Sequence, residues 1–398
     1  MSTRTAPLAD RIVDTFQSLL GDGAGLHEPC FAGNEWDYVK DCIDAGWVST
    51  AGSYVGRFEE MLADFTGAEH VIATSSGTAA LHAVFAALEI GAGDEVIVPA
   101  LTFAATANAV TYTGAVPHFA DIETASLGLD ADKLRQRLDT VAEHRHGVLV
   151  NTETGRRIAA VCCMHTFGHP SDLDALAAVC ADFGIDLIED AAESLGSYYK
   201  DTHTGNAGRV ATLSFNGNKT VTTGGGGAIM CNDGELALQI RHLTTTAKQP
   251  HKWEFIHDRV GFNYRLPNIN AALGCAQLEL LPDFLEKKRR LAEAYIAAFD
   301  GVPGIRPFKE PAWGRSNYWL NLIMLDDADT VRRDEILEAT NDAGFMTRAA
   351  WRPMHLLAPF VDMPKDDLSV TEDVYARLIN IPSSSQLADR LKGGLADA

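Results

Sequence analysis

The sequence predicts an α/β protein with a mostly parallel central sheet of seven strands and a smaller C-terminal α+β domain. Short apolar, β-branched runs alternate with helical patterns through most of the 398 residues. Such runs are typical of strands that are buried on both faces and connected by crossover helices. A long helical pattern from about Pro267, and a change of pattern after 301-GVPGIRPFKEP-311, indicate that a second and smaller unit follows the sheet.

The order of the elements follows from these patterns. The predicted strands are 70–74, 95–99, 116–122, 157–164, 186–189, 210–215 and 228–231, and the helical segments between them include 77–88, 103–110, 130–141 and 172–183. The C-terminal pattern gives a strand at 318–325 and a helix at 331–344. We therefore expect an N-terminal helical segment (1–45), a large α/β domain (46–265), and a long linking helix with a small α+β domain (266–398). Open parallel sheets bind ligands at the carboxyl ends of their strands, so the chemistry is expected there.

Composition excludes several classes of function. The formal net charge of −21 argues against nonspecific binding to nucleic acid or to an anionic membrane. Any anionic substrate must then meet a local cationic patch, because the field of the whole protein opposes its approach. No apolar run approaches the roughly 20 residues of a membrane helix, and the N-terminal residues lack the apolar stretch of a secretory signal. Seven cysteines without a CxxC pair favour a reducing compartment, so a cytoplasmic protein is expected.

The stretch 214-SFNGNKTVTTGGGG-227 places Lys219 on a segment without helical periodicity, just before four consecutive glycines. It is not a phosphate-binding loop of the GxxxxGK[ST] type, because Asn218 stands where that motif requires glycine. A lysine can instead condense with an aldehyde to form a Schiff base. Pyridoxal phosphate (PLP) is the common aldehyde cofactor, so Lys219 is a candidate for its attachment. The glycines would let the backbone pack closely beside a bulky cofactor and sugar.

PLP requires a carboxylate at its pyridine nitrogen, converging donors at its phosphate and a flat apolar neighbour at its ring. Asp190, at the end of a strand in 186-DLIEDAAES-194, is the candidate carboxylate, and a helix N-cap is the alternative for this residue. The turn 75-SSGT-78 leads from a strand directly into a helix, which makes it either an anion site or an ordinary N-cap. Phe103 either stacks on the ring or belongs to the core. The candidate phosphate contacts are Gly77, Thr78 and Ser214.

The chain resembles the DegT/DnrJ/EryC1/StrS family of PLP-dependent sugar aminotransferases, of fold type I, in SSGTAAL, GDEVIVPALTFAATANA, EDAAES, SFNGNK and GFNYRLPNINAALGCAQLE. The resemblance runs from about residue 27 to residue 385. It implies that Lys219 occupies the Schiff-base position, that Asp190 contacts the pyridine nitrogen and that Phe103 stacks on the ring. It also implies a homodimer with shared active sites, in which Asn263 reaches the PLP phosphate of the neighbouring subunit. Glu193 matches a position near the cofactor's phenol oxygen where the family often has His or Gln.

Four stretches resemble the LegC branch of the family, namely 164-MHTFGHP-170, SFNGNK, TTGGGG and HLTTTAK. This resemblance implies a transaminase (EC 2.6.1 class) that aminates UDP-4-keto-6-deoxy-N-acetylglucosamine, with L-glutamate as amino donor, to the UDP-4-amino-4,6-dideoxy sugar. Another nucleotide-linked keto sugar, with the ketone at C3 or C4, is an alternative. A PLP-dependent sugar dehydratase is disfavoured because such relatives replace the lysine. A non-catalytic regulatory homologue is disfavoured because it would not need Lys219, Asp190 and the phosphate contacts.

The stretch 241-RHLTTTAKQPHKWEF-255 is rich in cations for so acidic a chain. It is either a solvated surface loop or a cationic lip for a nucleotide diphosphate. We favour the lip, because it would supply the patch that an anionic substrate needs. The candidate substrate contacts on it are Arg241, Lys248 and His251.

His165 lies close to the predicted end of a strand. It either approaches the sugar or is a buried structural imidazole. A metal pair with His169 is not expected, because Gly168 and Pro170 disfavour a helix there and no general-base glutamate follows His165.

Overall fold

The computed structural model describes residues 7–391, in which helices and strands alternate over most of the length. Numbered along the chain, the helices are α1 (Leu8–Leu20), α2 (Glu35–Asp44), α3 (Ser53–Thr66), α4 (Gly77–Ala87), α5 (Ala104–Tyr112), α6 (Ala131–Val141), α7 (Leu173–Phe183), α8 (Gly234–Thr244), α9 (Asn268–Phe299), α10 (Thr330–Asp342) and α11 (Ser369–Arg377). The strands are β1 (His70–Thr74), β2 (Asp94–Pro99), β3 (Val116–Ala120), β4 (Ala142–Arg145), β5 (Val148–Asn151), β6 (Arg157–Met164), β7 (Asp186–Asp190), β8 (Tyr198–Tyr199), β9 (Thr202–His203), β10 (Val210–Ser214), β11 (Gly227–Cys231), β12 (Lys248–Gln249), β13 (Ile256–His257), β14 (Ile305–Pro307), β15 (Gly314–Arg315), β16 (Asn321–Leu325), β17 (Arg348–Ala349) and β18 (Leu378–Ile381).

The central sheet has the strand order β1-β11-β10-β7-β6-β2-β3, and the β4–β5 hairpin is attached beside β6. Within the seven-strand path, β11 runs antiparallel to both of its neighbours, whereas the other pairings are parallel. The mostly parallel sheet predicted from the sequence is therefore confirmed. The direction of β11 has a simple cause: the chain between β10 and β11 is a loop without a crossover helix, and such a short connection joins antiparallel strands.

Helices cover both faces of this sheet. One face packs on α4, α5 and α8, and the other packs on α3, α9, α6 and α7. Neighbouring residues of a strand point to opposite faces. Cys162 therefore packs on the face covered by α4, α5 and α8, and Cys163 packs on the other face, against α6 and α7. Burial on both faces explains why the strands are nearly continuous apolar runs in the sequence.

A second, antiparallel sheet of four strands, in the order β14-β16-β18-β17, follows the long helix α9. Helix α1 packs into the core of this sheet, where Phe16 lies against Tyr295, Phe299 and Phe345. Helix α2 instead packs along α9. The domain boundaries drawn from the sequence stay a prediction. Within residues 7–391, no helix combines the length and the apolar character that crossing a membrane requires.

Candidate active site

A cavity of about 270 Å³ lies where the carboxyl ends of β1, β6, β7 and β10 meet the start of α4. This is the edge at which open parallel sheets place their ligands. The cavity is lined by residues that are far apart in the sequence, since each strand end contributes its own loop. The structure brings together in this lining seven of the residues proposed from the sequence: Gly77, Thr78, Phe103, Asp190, Glu193, Ser214 and Lys219.

Lys219 lies on the turn that follows β10, as its sequence context predicted. Its ammonium Nζ is 3.0 Å from Oε1 of Glu193 and 3.8 Å from the centre of the Trp319 ring. Only 12% of the side chain is exposed. The amine is therefore held inside the cavity by a carboxylate and an aromatic face.

Asp190 ends β7 with its side chain almost fully buried. The hydroxyl of Thr106 donates to Oδ2 at 2.7 Å, and the backbone N–H of Ala192 donates to Oδ1 at 3.2 Å. Burial raises the pKa of this carboxyl, and the hydrogen bonds and the charge of Lys219 partly offset the rise. A protonated pyridine nitrogen would supply a cation that favours the ionised form of Asp190.

Glu193 follows Asp190 by three residues and is buried in the same cavity. The backbone N–H of Phe167 donates to its Oε2 at 2.9 Å, while Oε1 faces Lys219. Burial raises the pKa of Glu193 to about 7, against the opposing effect of the Lys219 charge. The site thus has two buried carboxyl groups beside a single lysine.

The start of α4 forms a cradle for an anion. The Ser76 hydroxyl accepts from the backbone N–H of Ala79 at 3.0 Å, so the N-cap expected as one alternative is present. A Cβ on Gly77 would lie 2.9 Å from Cβ of Ser214, and a Cβ on Gly227 would lie 2.5 Å from the carbonyl of Ser76. Glycine at these positions therefore allows β10 and β11 to approach the first turn of α4 closely. The helix N-terminus with its hydroxyl neighbours fits a phosphate group.

Two tryptophans that sequence reasoning missed complete the lining, Trp319 and Trp351. Nε1 of Trp319 donates to the carbonyl of Asn218 at 2.8 Å, and the Trp319 carbonyl accepts from the buried Nζ of Lys288 at 3.2 Å. Trp351 lies 6.0 Å from Phe103, ring centre to ring centre. Phe103 is half exposed, so it belongs to the rim of the cavity rather than to the core.

His165 does not reach the cavity, which corrects its proposed contact with the sugar. Its ring is completely buried, with Nε2 at 2.9 Å from Oε2 of Glu189 and Nδ1 accepting from the backbone N–H of Ser171 at 3.2 Å. Both ring nitrogens are therefore used inside the protein. The structural alternative for this imidazole is the one that the geometry favours.

Arg241 also lies elsewhere, and the predicted cationic loop is divided into a helix and a hairpin. Arg241 is on α8, where its guanidinium pairs with Glu59 at 3.0 Å and donates to the carbonyl of Val71 at 3.0 Å. Val71 is near the amino end of β1, whereas the cavity is at the carboxyl end. The prediction that Arg241 belongs to a cationic lip at this cavity is therefore wrong, because α8 places Arg241 at the opposite edge of the sheet.

Three further candidates do not line the cavity of their own subunit. Lys248 and His251 belong to the exposed β12–β13 hairpin, where Nζ of Lys248 lies 4.0 Å from the centre of the Phe255 ring. Asn263 is exposed and its backbone pairs with Thr245. Contacts of these residues with a neighbouring subunit stay a prediction.

The amine, the buried carboxylate, the helix N-terminus and Phe103 together provide each of the features that PLP requires. The model of the DegT/DnrJ/EryC1/StrS aminotransferase family matches residues 29–391. The chain belongs to this family. It is a PLP-dependent sugar aminotransferase of the kind that acts on nucleotide sugars.

Relatives of this aminotransferase span almost its whole length. It is 36% identical to the GDP-perosamine synthase of Caulobacter vibrioides over 91% of this chain and 93% of that protein. Among solved structures, it is similar to the aminotransferase TlmJ from Streptoalloteichus hindustanus (28% identity, TM-score 0.82, 91% of this chain and 93% of the other). It is also similar to DesI in the presence of its TDP-sugar product (27% identity, TM-score 0.80, 96% and 95%).

Proposed function

We propose that this enzyme transfers the amino group of L-glutamate to UDP-4-keto-6-deoxy-N-acetylglucosamine and forms the UDP-4-amino-4,6-dideoxy sugar. The observation that supports the transfer is the Lys219 amine enclosed with Asp190 in one cavity at the carboxyl edge of the sheet. The choice of sugar rests on the LegC-like motifs in the sequence. A GDP-linked keto sugar is the second candidate, and the similarity to GDP-perosamine synthase favours it.

Each half of the reaction needs a proton to be moved at carbon. When bound, PLP supplies an electrophilic carbon for the amino group and a ring that accepts the electrons left at the carbon losing its proton. Nζ of Lys219 takes the proton from Cα of glutamate, and in the second half-reaction it delivers a proton to the sugar carbon. Asp190 stabilises the positive charge at the ring nitrogen through its buried carboxylate. Oε1 of Glu193, 3.0 Å from Nζ, keeps the amine directed into the cavity.

The remaining cavity residues position the cofactor. The N-terminus of α4, with Gly77, Thr78 and Ser214, would hold the phosphate through N–H and O–H donors. Phe103, at the cavity rim, would hold the ring through its aromatic side chain. These groups bind and orient, while Lys219 moves the protons.

We also propose a homodimer with shared active sites, in the cytoplasm. Asn263, which does not line its own cavity, would donate to the PLP phosphate in the partner. Several large apolar side chains are more than half exposed, which supports a subunit interface. They are Phe31, Trp36, Trp47, Trp253, Phe255 and Val260.

Substitution of the lysine tests the assignment. Lys219→Ala is expected to abolish both the visible absorbance of the protein-bound cofactor and the turnover of the keto sugar, because no other lysine lines this cavity in the described chain. The measurement is an absorption spectrum before and after glutamate is added, followed by product analysis with UDP- and GDP-linked 4-keto sugars. Normal turnover by the variant would refute the role of Lys219. A wild-type protein that binds PLP without reacting with glutamate would favour the regulatory alternative.

A further inference from the structure

A second chamber, of about 450 Å³, adjoins the cofactor cavity. The two chambers share Asn218, Trp319 and Trp351, so these residues form the boundary between them. This second chamber, called the outer chamber from here on, is otherwise lined by residues from the N-terminal segment, from the position before β16, from the region around β17 and from β18. They include Leu26, Glu28, Leu320, Met346, Arg348 and Asn380.

Arg348 gives this chamber an available positive charge. Its Nη1 donates to Oδ1 of Asn341 at 3.1 Å and to the carbonyl of Thr347 at 2.8 Å, which fixes the guanidinium in place. Across residues 7–391, no carboxylate forms an ion pair with it. In contrast, Lys219 in the inner cavity is paired with Glu193. Arg348 therefore remains available to an anion in a protein of net charge −21.

The other walls suit a nucleoside. Leu26, Leu320, Met346 and the outer side of Trp351 offer apolar surface for a base. The carboxylate of Glu28 packs over Gly25 and forms no ion pair with Arg348. A carboxylate in such a place can accept hydrogen bonds from ribose hydroxyls, as in other nucleotide sites.

We propose that the outer chamber binds the nucleoside diphosphate half of the substrate, with Arg348 on the diphosphate. This inference rests on the proposed function, because it needs a nucleotide-linked sugar. The shared boundary provides the connection: a sugar attached to a diphosphate at Arg348 passes Trp319 and Trp351 and reaches Lys219. A guanidinium suits the task, since its fork of N–H donors matches phosphate oxygens.

The charged hairpin is the competing location for the diphosphate. Lys248 and Lys252 each lie against an aromatic ring of their own hairpin, Phe255 at 4.0 Å and Trp253 at 4.3 Å. Within one subunit, neither residue lines either of the two chambers. Arg348 is already at the chamber wall and requires no rearrangement of the chain.

The test measures binding of UDP and of GDP to the holoenzyme by calorimetry, for wild type, Arg348→Met, Arg348→Lys and Lys248→Met. Loss of hydrogen bonds to a charged group is expected to weaken nucleotide binding about 10- to 100-fold in Arg348→Met. Arg348→Lys should recover part of the loss, because it restores the charge without the fork. Lys248→Met tests the competing hairpin, and it should change nucleotide binding less than about twofold if Arg348 rather than the hairpin holds the diphosphate.

Kinetics and folding controls make the outcome decisive. The KM for the nucleotide sugar should rise in Arg348→Met by a factor similar to the change in nucleotide binding, and the rate of the step with glutamate should fall far less. PLP content and thermal unfolding show whether Arg348→Met is misfolded. If it is, nucleotide binding by Arg348→Lys is compared with that of wild type instead. If wild type and Arg348→Met bind nucleotide equally, or if Lys248→Met loses as much binding as Arg348→Met, the role of Arg348 is overturned. The proposed function is unaffected by either result. Failure of the wild type to bind either nucleotide would overturn both this inference and the proposed substrate.

Discussion

At the scale of residues, the site is defined by an amine with two buried carboxyl groups. Lys219 lies at hydrogen-bonding distance from Glu193, and Asp190 is close enough for its charge to act on the same region. Burial raises the pKa of both carboxyl groups, since ionised oxygen is poorly solvated there. The residue types and their chemistry could be predicted from the sequence, but the pairing of Glu193 with Lys219 could not, because it depends on how two strand ends come together.

A pH dependence of stability follows for the cofactor-free protein. The pKa of Glu193, about 7 in the folded state against 4.5 ordinarily, is raised, so its contribution to the free energy of unfolding is fully present below pH 4.5 and is lost as the pH rises through 7. The loss is on the order of 3 kcal/mol. Glu193→Gln removes the titration, so urea unfolding at pH 5 and pH 8 should show a smaller decrease than in wild type.

The exposed Glu143, which pairs with Arg145, provides the control for this measurement. Glu143→Gln should retain the wild-type dependence on pH. If Glu193→Gln and wild type lose stability in parallel between the two pH values, Glu193 does not titrate in this range.

At the scale of elements, the last of the four consecutive glycines at 224–227 allows β11 to lie close to the first turn of α4. The sequence led us to expect space for a cofactor and sugar, and Gly225 and Gly226 do line the cavity. Gly227 has a different neighbour, because a Cβ there would lie 2.5 Å from the backbone of Ser76. This reason is invisible in the sequence, since β11 and the turn before α4 are about 150 residues apart.

Gly227→Ala is therefore expected to destabilise the protein by about 1–3 kcal/mol, because backbone on both sides must shift. It should also weaken PLP binding, since the start of α4 carries the proposed phosphate donors. Urea unfolding and a PLP titration measure the two effects. Gly225→Ala is the matched control for stability, as a Cβ there has no neighbour within 4 Å. Equal unfolding free energies for the two variants would contradict the close-contact explanation.

At the scale of the whole molecule, a dimer with shared active sites allows two inactive variants to restore activity to each other, which a monomer does not allow. Lys219→Ala and Asn263→Ala are each expected to be inactive or strongly impaired. When they are co-expressed with different tags, a mixed dimer should contain one site with both residues intact, so random assembly should recover about a quarter of wild-type activity. Purification through both tags isolates the mixed dimer for assay.

The mixed dimer also shows whether Asn263 acts within its own subunit instead. If Asn263 acts within its own subunit, no mixture of the two variants contains an intact site, and activity stays at the level of Asn263→Ala. Sedimentation of wild type gives the oligomeric state independently of activity.

The sequence by itself determined the sheet, the cofactor chemistry and the inner part of the site. Strand bounds agree within a few residues because each buried strand is a short apolar run that ends at a turn, and the ends of such runs carry Asp190, Ser214 and the residues around Lys219. The β4–β5 hairpin was missed because most of β4 is exposed and has no apolar pattern.

Tertiary structure alone decided which distant residues complete the site. Trp319, Trp351 and Arg348 come from the C-terminal part of the chain, and packing of that part against the sheet brings them to the cavities. Contacts elsewhere in the fold keep two other candidates out of the cavity, since Arg241 pairs with Glu59 and both ring nitrogens of His165 have hydrogen-bond partners in Glu189 and Ser171. Charge and periodicity in a sequence show that a cation or an aromatic ring exists, whereas its partner is set by contacts between segments that no local pattern relates.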